Sequence, residues 1–379
     1  MALNNRTQAT LEKPHGERTL ADLAHGLRDI GVNLATATEG YTPGHDLEML
    51  RAALQAAVTL EFSTLPPYLT ALWSVKNPLD PVANSIREIL QEEMLHMALA
   101  CNMLTAIGGR PEIKTAVPVY PGKLPGGVHP ELTIPLTGLD DDSLEAFMEV
   151  ERPQHPGHFE SLEAREDLDA VAKDEGGDDP DDFTIGEFYD EILAAFERLK
   201  PTISTDRQIT GPLAWFVIKD LADVKRAIDT IETQGEGSSG TPDSSEGNLS
   251  HYFRFAELRE RKKLVQDPDT GKWDFKDPIE FDMDNDVWPV GKVPPGGYTD
   301  EVVEDEEVRR LLRGFNLTYS KMLDLLDTVW KTDGGQANLW HAIETMFALE
   351  KFSRPLMEIE RPDGKNYGPD FRYIPEDER

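Results

Sequence analysis

Cysteine is almost missing from this chain: one residue in 379, Cys101. A single thiol excludes an internal disulfide framework and suits a reducing compartment. Its place inside a segment patterned as a helix marks it as a buried structural thiol rather than a nucleophile. Long apolar runs are missing too. No stretch approaches the ~18 residues a membrane-spanning helix requires. The N-terminal MALNNRTQATLEKPHGERT has no apolar signal core, so the cytoplasm is the expected compartment. Bases are scarce, 38 Lys and Arg against 71 Asp and Glu, for a net charge of −33. That balance argues against nucleic acid or an anionic membrane as a partner and keeps the chain soluble. The acids gather in loop-like stretches such as Asp140–Asp142 and Asp174–Asp182. Excess surface acid of this kind is a device used by halophiles.

What is present is helical periodicity in a chain that is 39% hydrophobic, enough for a substantial core. Residues 1–44 read as a tail with a short helix over 19–30, and 45–379 as a single helical domain. A first long helix begins near Asp46 and runs past Glu61. Pro66-Pro67 should kink or restart it, because proline removes a backbone donor and clashes with the preceding turn. A second helix covers 82–107 and closes at Gly108-Gly109. The link from Asn77 to Pro81 is short, so the two should be antiparallel neighbours. Residues 111–158, rich in Pro, Gly and β-branched side chains, read as an irregular excursion, and 160–182 as an acidic linker. Helical patterns return at 183–199, 218–234 and 248–263, with Gly235–Gly247 a loop by composition. Residues 267–299 read as irregular, and two last helices as 301–331 and 336–357.

Two apolar stripes are interrupted by groups that do not belong in a core. Leu47, Leu50, Leu54 and Ala57 lead, by threes and fours, to Glu61. Val82, Ile86 and Ile89 lead to Glu93 and His96 before Ala100, Met103 and Ile107 resume the stripe. Burying such groups unpaired costs several kcal/mol, so something must compensate. A Glu on one helix and Glu-x-x-His on another is the ligand pattern of carboxylate-bridged di-iron or di-manganese four-helix bundles. Such a site needs about four carboxylates and two imidazoles; bridging carboxylates hold two metals about 4 Å apart and balance their charge.

Of the nine histidines, His251 is the best second imidazole, on the face Asn248, His251, Phe255, Leu258. His341 lies off the clearest apolar stripe of its helix. Position 248, where a second Glu-x-x-His would carry its acid, is Asn, and Glu236 in the Gln234-Gly-Glu-Gly237 stretch is the available substitute. On the helix 183–199, periodicity leaves Glu187 and Glu191 both open. Glu92, off the stripe, suits a solvated or supporting role. Tyr68, Tyr189 and Tyr252 are read as core packing with the capacity to donate to ligands.

At these residues the chain resembles a known family. LEFSTLPPYLTALWSV (60–75), EEMLHMALACNMLTAIGG (92–109), TIGEFYDEI (184–192), QGEG (234–237), LSHYFRFAEL (249–258), FNLTYSKMLDLLD (315–327) and GPDFRYIP (368–375) are similar to the ferritin-like iminophenyl-pyruvate dimer synthases. That family includes the enzymes acting early in violacein and rebeccamycin biosynthesis. The resemblance, over roughly residues 45–375, implies a mainly α fold: a ferritin-like four-helix bundle with additional C-terminal helices and long loop excursions at about 111–182 and 267–299. It implies oxidative chemistry on a small amino-acid-derived substrate, with two iron ions (manganese the alternative) and O₂ or peroxide as co-substrate. Carried over by motif, the metal ligands are Glu61, Glu93, His96, Glu187, Glu236 and His251, Glu187 being preferred to Glu191. The violacein and rebeccamycin enzymes are longer chains, so a second copy or a partner oxidase is the expected macromolecular partner. The competing readings are manganese catalase-like peroxide disproportionation and a non-catalytic metal-binding or structural bundle.

Overall fold

The structure, a computed structural model, describes residues 10–11, 13, 18–36, 43–129, 132–153, 184–211, 216–238, 241–244, 247–298 and 303–379, with backbone only at 29–36 and 43–44. The helices are α1 (Leu20–Thr36), α2 (Pro43–Ser74), α3 (Pro81–Ala106), α4 (Asp141–Val150), α5 (Ile185–Leu199), α6 (Leu221–Gly235), α7 (His251–Glu260), the short α8 (Met283–Asp286), α9 (Glu306–Val329) and α10 (Gly335–Met357). A two-stranded antiparallel hairpin, β1 (Lys262–Gln266) and β2 (Trp273–Pro278), follows α7. No helix among the described residues is long and apolar enough to cross a membrane. The acidic linker expected at 160–182 lies outside the described residues.

The caps explain where most helices start. Asp80 accepts from the Val82 N–H at 2.8 Å, with Pro81 in the first helical position of α3. Asp220 and Asp305 cap α6 and α9 in the same way. Each satisfies N–H groups that the helix leaves without partners. α2 and α3 lie antiparallel: Arg51, near the start of α2, donates to the Ile107 carbonyl just beyond α3, at 3.1 and 2.6 Å from its Nε and Nη2.

Pro66-Pro67 does not break α2, which is assigned as one helix of 32 residues. Pro67 lacks the N–H that would have paired with the Ser63 carbonyl. The buried Tyr120 phenol donates to that carbonyl instead, at 2.5 Å. The Thr70 hydroxyl donates to the Pro66 carbonyl at 2.8 Å. A side chain from the 111–129 excursion thus repairs what the prolines remove.

The excursion is also less irregular than its composition suggested, for it contains α4. Asp140 and Ser143 close a capping box on that helix. The 248–263 pattern is shorter than expected. α7 begins at His251 and stops at Arg261 in left-handed conformation, and the chain turns directly into the hairpin.

The main hydrophobic core runs from Leu20 to Phe371. α9 and α10 pack closely because Gly314 has no Cβ. One placed there would meet the Phe352 ring at 2.4 Å. Asn102 of α3, fully buried, exchanges hydrogen bonds with the Ile209 backbone at 2.9 and 3.0 Å. Its Oδ1 also accepts from the Trp330 indole at 2.9 Å. Cys101 beside it is buried and free, and burial pushes its thiol pKa well up.

Candidate metal centre

Glu61 on α2 and Glu93 and His96 on α3 face one another across the helix pair, all three buried. α4 ends at the cluster and brings Glu151. α7 starts at it and brings His251 as its first residue. His96 Nδ1 lies 3.7 Å from Glu61 Oε2 and 3.6 Å from Glu93 Oε1. His251 Nδ1 lies 2.7 Å from that same Glu93 oxygen and 3.6 Å from Glu151 Oε2. The two imidazoles stack with centroids 5.4 Å apart. Glu93, His96 and His251 offer ligand atoms that lie within 4.8 Å of one another.

The far nitrogens face acceptors. His96 Nε2 lies 2.8 Å from the Gln234 Oε1 amide oxygen, which can only accept. His251 Nε2 lies 2.9 Å from the Glu92 carboxylate, itself held by Arg254 at 2.9 Å. Each Nε2 thus faces an acceptor, and each Nδ1 is left toward the carboxylates, where a proton or a metal ion can sit. A carboxylate or amide behind a ligating imidazole is the usual support of a metal site. His251 Nδ1 lies at contact distance from Glu93 without a well-aligned hydrogen bond. A bare lone pair facing carboxylate oxygens is repulsive, so a proton or a metal ion must lie between them. Donors bound to one ion at about 2.1 Å and near right angles lie about 3 Å apart, so the observed separations fit a shared ion.

The carboxylates are held too. Tyr189 donates to Glu61 and Tyr68 to Glu151, both at 2.6 Å, and the Thr64 hydroxyl donates to Glu93 Oε2 at 2.6 Å. Burial, then the charge of Glu151, raises the Glu93 pKa. Burial alone would lower the His251 pKa, but Glu151, Glu92 and Glu93 outweigh it and carry it well above the usual imidazole value. His96 is raised in the same sense, Glu61 and Glu93 overcoming burial. Burial opposes ionisation of Glu92, yet His251 and Arg254 bring its pKa down to about 2. The cluster is a seat for positive charge, which metal ions and protons compete to fill.

Of the residues expected as ligands, the structure gathers Glu61, Glu93, His96 and His251. Glu236 lines the same cleft and accepts from the Gly186 N–H at the start of α5, at 3.0 Å. Glu187 is placed elsewhere. It closes a capping box on α5, its carboxylate accepting from the Thr184 N–H at 3.1 Å. Thr184-Ile-Gly-Glu187 is the sequence signature of that cap. Glu191 pairs with Arg28 at 2.6 Å. His341 is exposed. Asn248 is exposed and precedes α7, so it does not share a helix face with His251. Two acids were missed. Glu151 supplies a carboxylate beside His251, and its signal was the stripe Leu144, Phe147, Glu151. Glu232, four residues before Glu236, lines the cleft, and its Oε1 has no hydrogen-bond partner. Burial and then Asp190, Glu236 and Asp229 push its pKa up to about 8.

A helical bundle that buries a carboxylate–histidine cluster where its helices converge is the class of protein that this fold and site define. A ferritin-like family model matches residues 54–260, over half of the chain, and the chain belongs to that family. In an alignment 275 positions long that covers 65% of this chain, it is 25% identical to the dichlorochromopyrrolate synthase of Lentzea aerocolonigenes, and it spans 24% of that protein. Its fold resembles the crystal structure of a ferritin like protein from Caulobacter vibrioides, with a TM-score of 0.54 at 21% identity, over 86% of this chain and 97% of that one.

Proposed function

We propose that this protein is a non-heme dinuclear metal oxidase acting on a small amino-acid-derived substrate, with iron as the metal and O₂ or peroxide as co-substrate. The observation that carries this reading is the convergence of two imidazole Nδ1 atoms on one carboxylate oxygen, Glu93 Oε1. A single proton donor and acceptor pair would not need two such rings. Glu61, Glu93, His96, Glu151 and His251 would hold the metals, with Glu236 at the margin. Mixed imidazole and carboxylate donors suit iron, manganese and zinc, so availability biases occupancy. When bound, the metals supply the electrons for oxygen chemistry.

The chain's own residues prepare the site for that role. Gln234 and Glu92 fix the imidazole orientations. Tyr68, Tyr189 and Thr64 hold the carboxylates by hydrogen bonds to one oxygen each, leaving the others to face the ligand space. The cleft beside Glu232 and Glu236 is narrow, about 30 Å³, and both carboxylates are half-buried. The resemblance to iminophenyl-pyruvate dimer synthases and the likeness to a named synthase support an enzyme rather than a storage or structural role.

Metal analysis after anaerobic ferrous loading tests the reading. Up to two ions per chain are expected, with affinity falling as pH falls, because protons compete for the two Nδ1 atoms. Protein that takes up no transition metal, or that takes it up equally after Glu93→Ala and His96→Ala, would overturn it.

A further inference from the structure

The burial of the residues lining the narrow cleft shows where it opens. Glu61, Thr64, Glu93, His96 and Glu151 form its floor and are all buried. Of the residues that line it, Ile185, Glu232 and Glu236 alone are partly exposed. The mouth thus lies between the start of α5 and the end of α6. Two of its three side chains are acids, four residues apart and so on one face of the chain as it leaves α6. No Lys or Arg lines the cleft.

The two carboxylates are held unequally. Glu236 accepts from the Gly186 N–H at 3.0 Å. Gly186 makes room for it, because a Cβ there would come within 2.8 Å of Glu236 Oε1. Glu232 has neither a salt bridge nor a side-chain hydrogen bond among the described residues. The charges that act on it most strongly, those of Asp190, Glu236 and Asp229, are all negative. Asp190 and Asp229 are exposed. Acids therefore run inward in three steps: exposed at Asp190 and Asp229, half-buried at Glu232 and Glu236, buried at Glu61 and Glu93. The end of α6 adds the negative partial charge of its last carbonyl groups. A mouth of this kind concentrates cations and repels anions.

The width of the cleft sets the chemistry. About 30 Å³ of free space holds only one or two water molecules, so a hydrated divalent ion cannot pass intact. It must shed water at the mouth. Carboxylate oxygens are the hard donors that replace what it loses.

We propose that Glu232 and Glu236 form the entry step by which a divalent metal ion reaches the cluster, taking the place of its water before Glu61, Glu93 and the two imidazoles receive it. Glu232 is a transit residue rather than a ligand. This role rests on the reading of the cluster as a metal centre.

The probe is cobalt(II), added under argon to the metal-free full chain. Its visible absorbance on binding follows loading in stopped flow, and elemental analysis of the desalted protein counts the ions. The parent should load up to two ions per chain, more slowly as sodium chloride is added. Glu232→Gln should load the same number about tenfold more slowly, with Glu232→Asp between the two. A melting curve on each variant shows that it has folded. A Glu232→Gln protein that loads at the parent's rate would overturn the proposal. So would one that retains fewer ions at equilibrium, since Glu232 would then be a ligand. A parent that takes up no cobalt would defeat the metal-centre reading itself and this role with it. Uptake at equal rates in parent and variant defeats this role alone.

Discussion

At the scale of single residues, the site divides between acids visible as interruptions and acids that were not. Glu61, Glu93, His96 and His251 stood out because each breaks an apolar stripe, and the structure brings those four together. Glu151 did not stand out. It closes a ten-residue helix inside a segment whose Pro and Gly content reads as irregular, which hides the short stripe it belongs to. Glu187 was selected through resemblance, although the Thr-x-x-Glu spacing around it already described a helix cap. These placements give opposite expectations for two similar substitutions. Glu151→Ala should cost at least one metal ion per chain. Glu187→Ala should leave metal content unchanged and lower stability by ~1 kcal/mol, the usual cost of a lost cap. Elemental analysis beside chemical denaturation separates them. Loss of metal from the Glu187 variant would show that its carboxylate leaves the cap to ligate.

At the scale of elements, periodicity located the long helices but not the way one of them survives two prolines. Propensity treats Pro66-Pro67 as a break, because it counts only the donors within the segment. The Ser63 carbonyl finds its donor on Tyr120, 57 residues away, which local pattern cannot reveal. Tyr120→Phe should therefore leave a buried acceptor unpaired and destabilise the fold by about 1–3 kcal/mol. Because Glu61 and Thr64 flank the repaired turn, metal affinity should weaken in the same variant. Unchanged stability by urea denaturation would show that α2 carries its prolines without help. The short α7 and its hairpin were missed for a related reason. Strand pairing after residue 261 ends the helix, while the sequence continues with residues that a helix would also accept.

At the scale of the whole molecule, an excess of 33 negative charges includes carboxylates that the site gathers in the interior. Glu232 shows the consequence. Its folded pKa of about 8 lies above the ordinary carboxylate value of 4.5. The folded chain therefore holds a proton that the unfolded chain releases. That contribution to stability is fully present below pH 4.5 and is lost as pH rises through 8. In metal-free protein, the melting temperature should fall over this window, and Glu232→Gln should flatten the fall. A variant whose profile matches the parent would place the proton on another group. Composition made the helical class and the acidic surface legible. It could not show which distant segments close the core, because those contacts depend on the assembled chain. Asn102 makes the point in time as well as in space. Its partners, Ile209 and Trp330, lie 107 and 228 residues further on. As a ribosome extends the chain, the helix bearing Glu93 and His96 emerges long before either partner exists. Its buried amide has both partners only once residue 330 has been made, 228 residues later. The ligand-bearing pair α2 and α3 thus reaches its final packing only after α9 has been made, with Trp330 at its end.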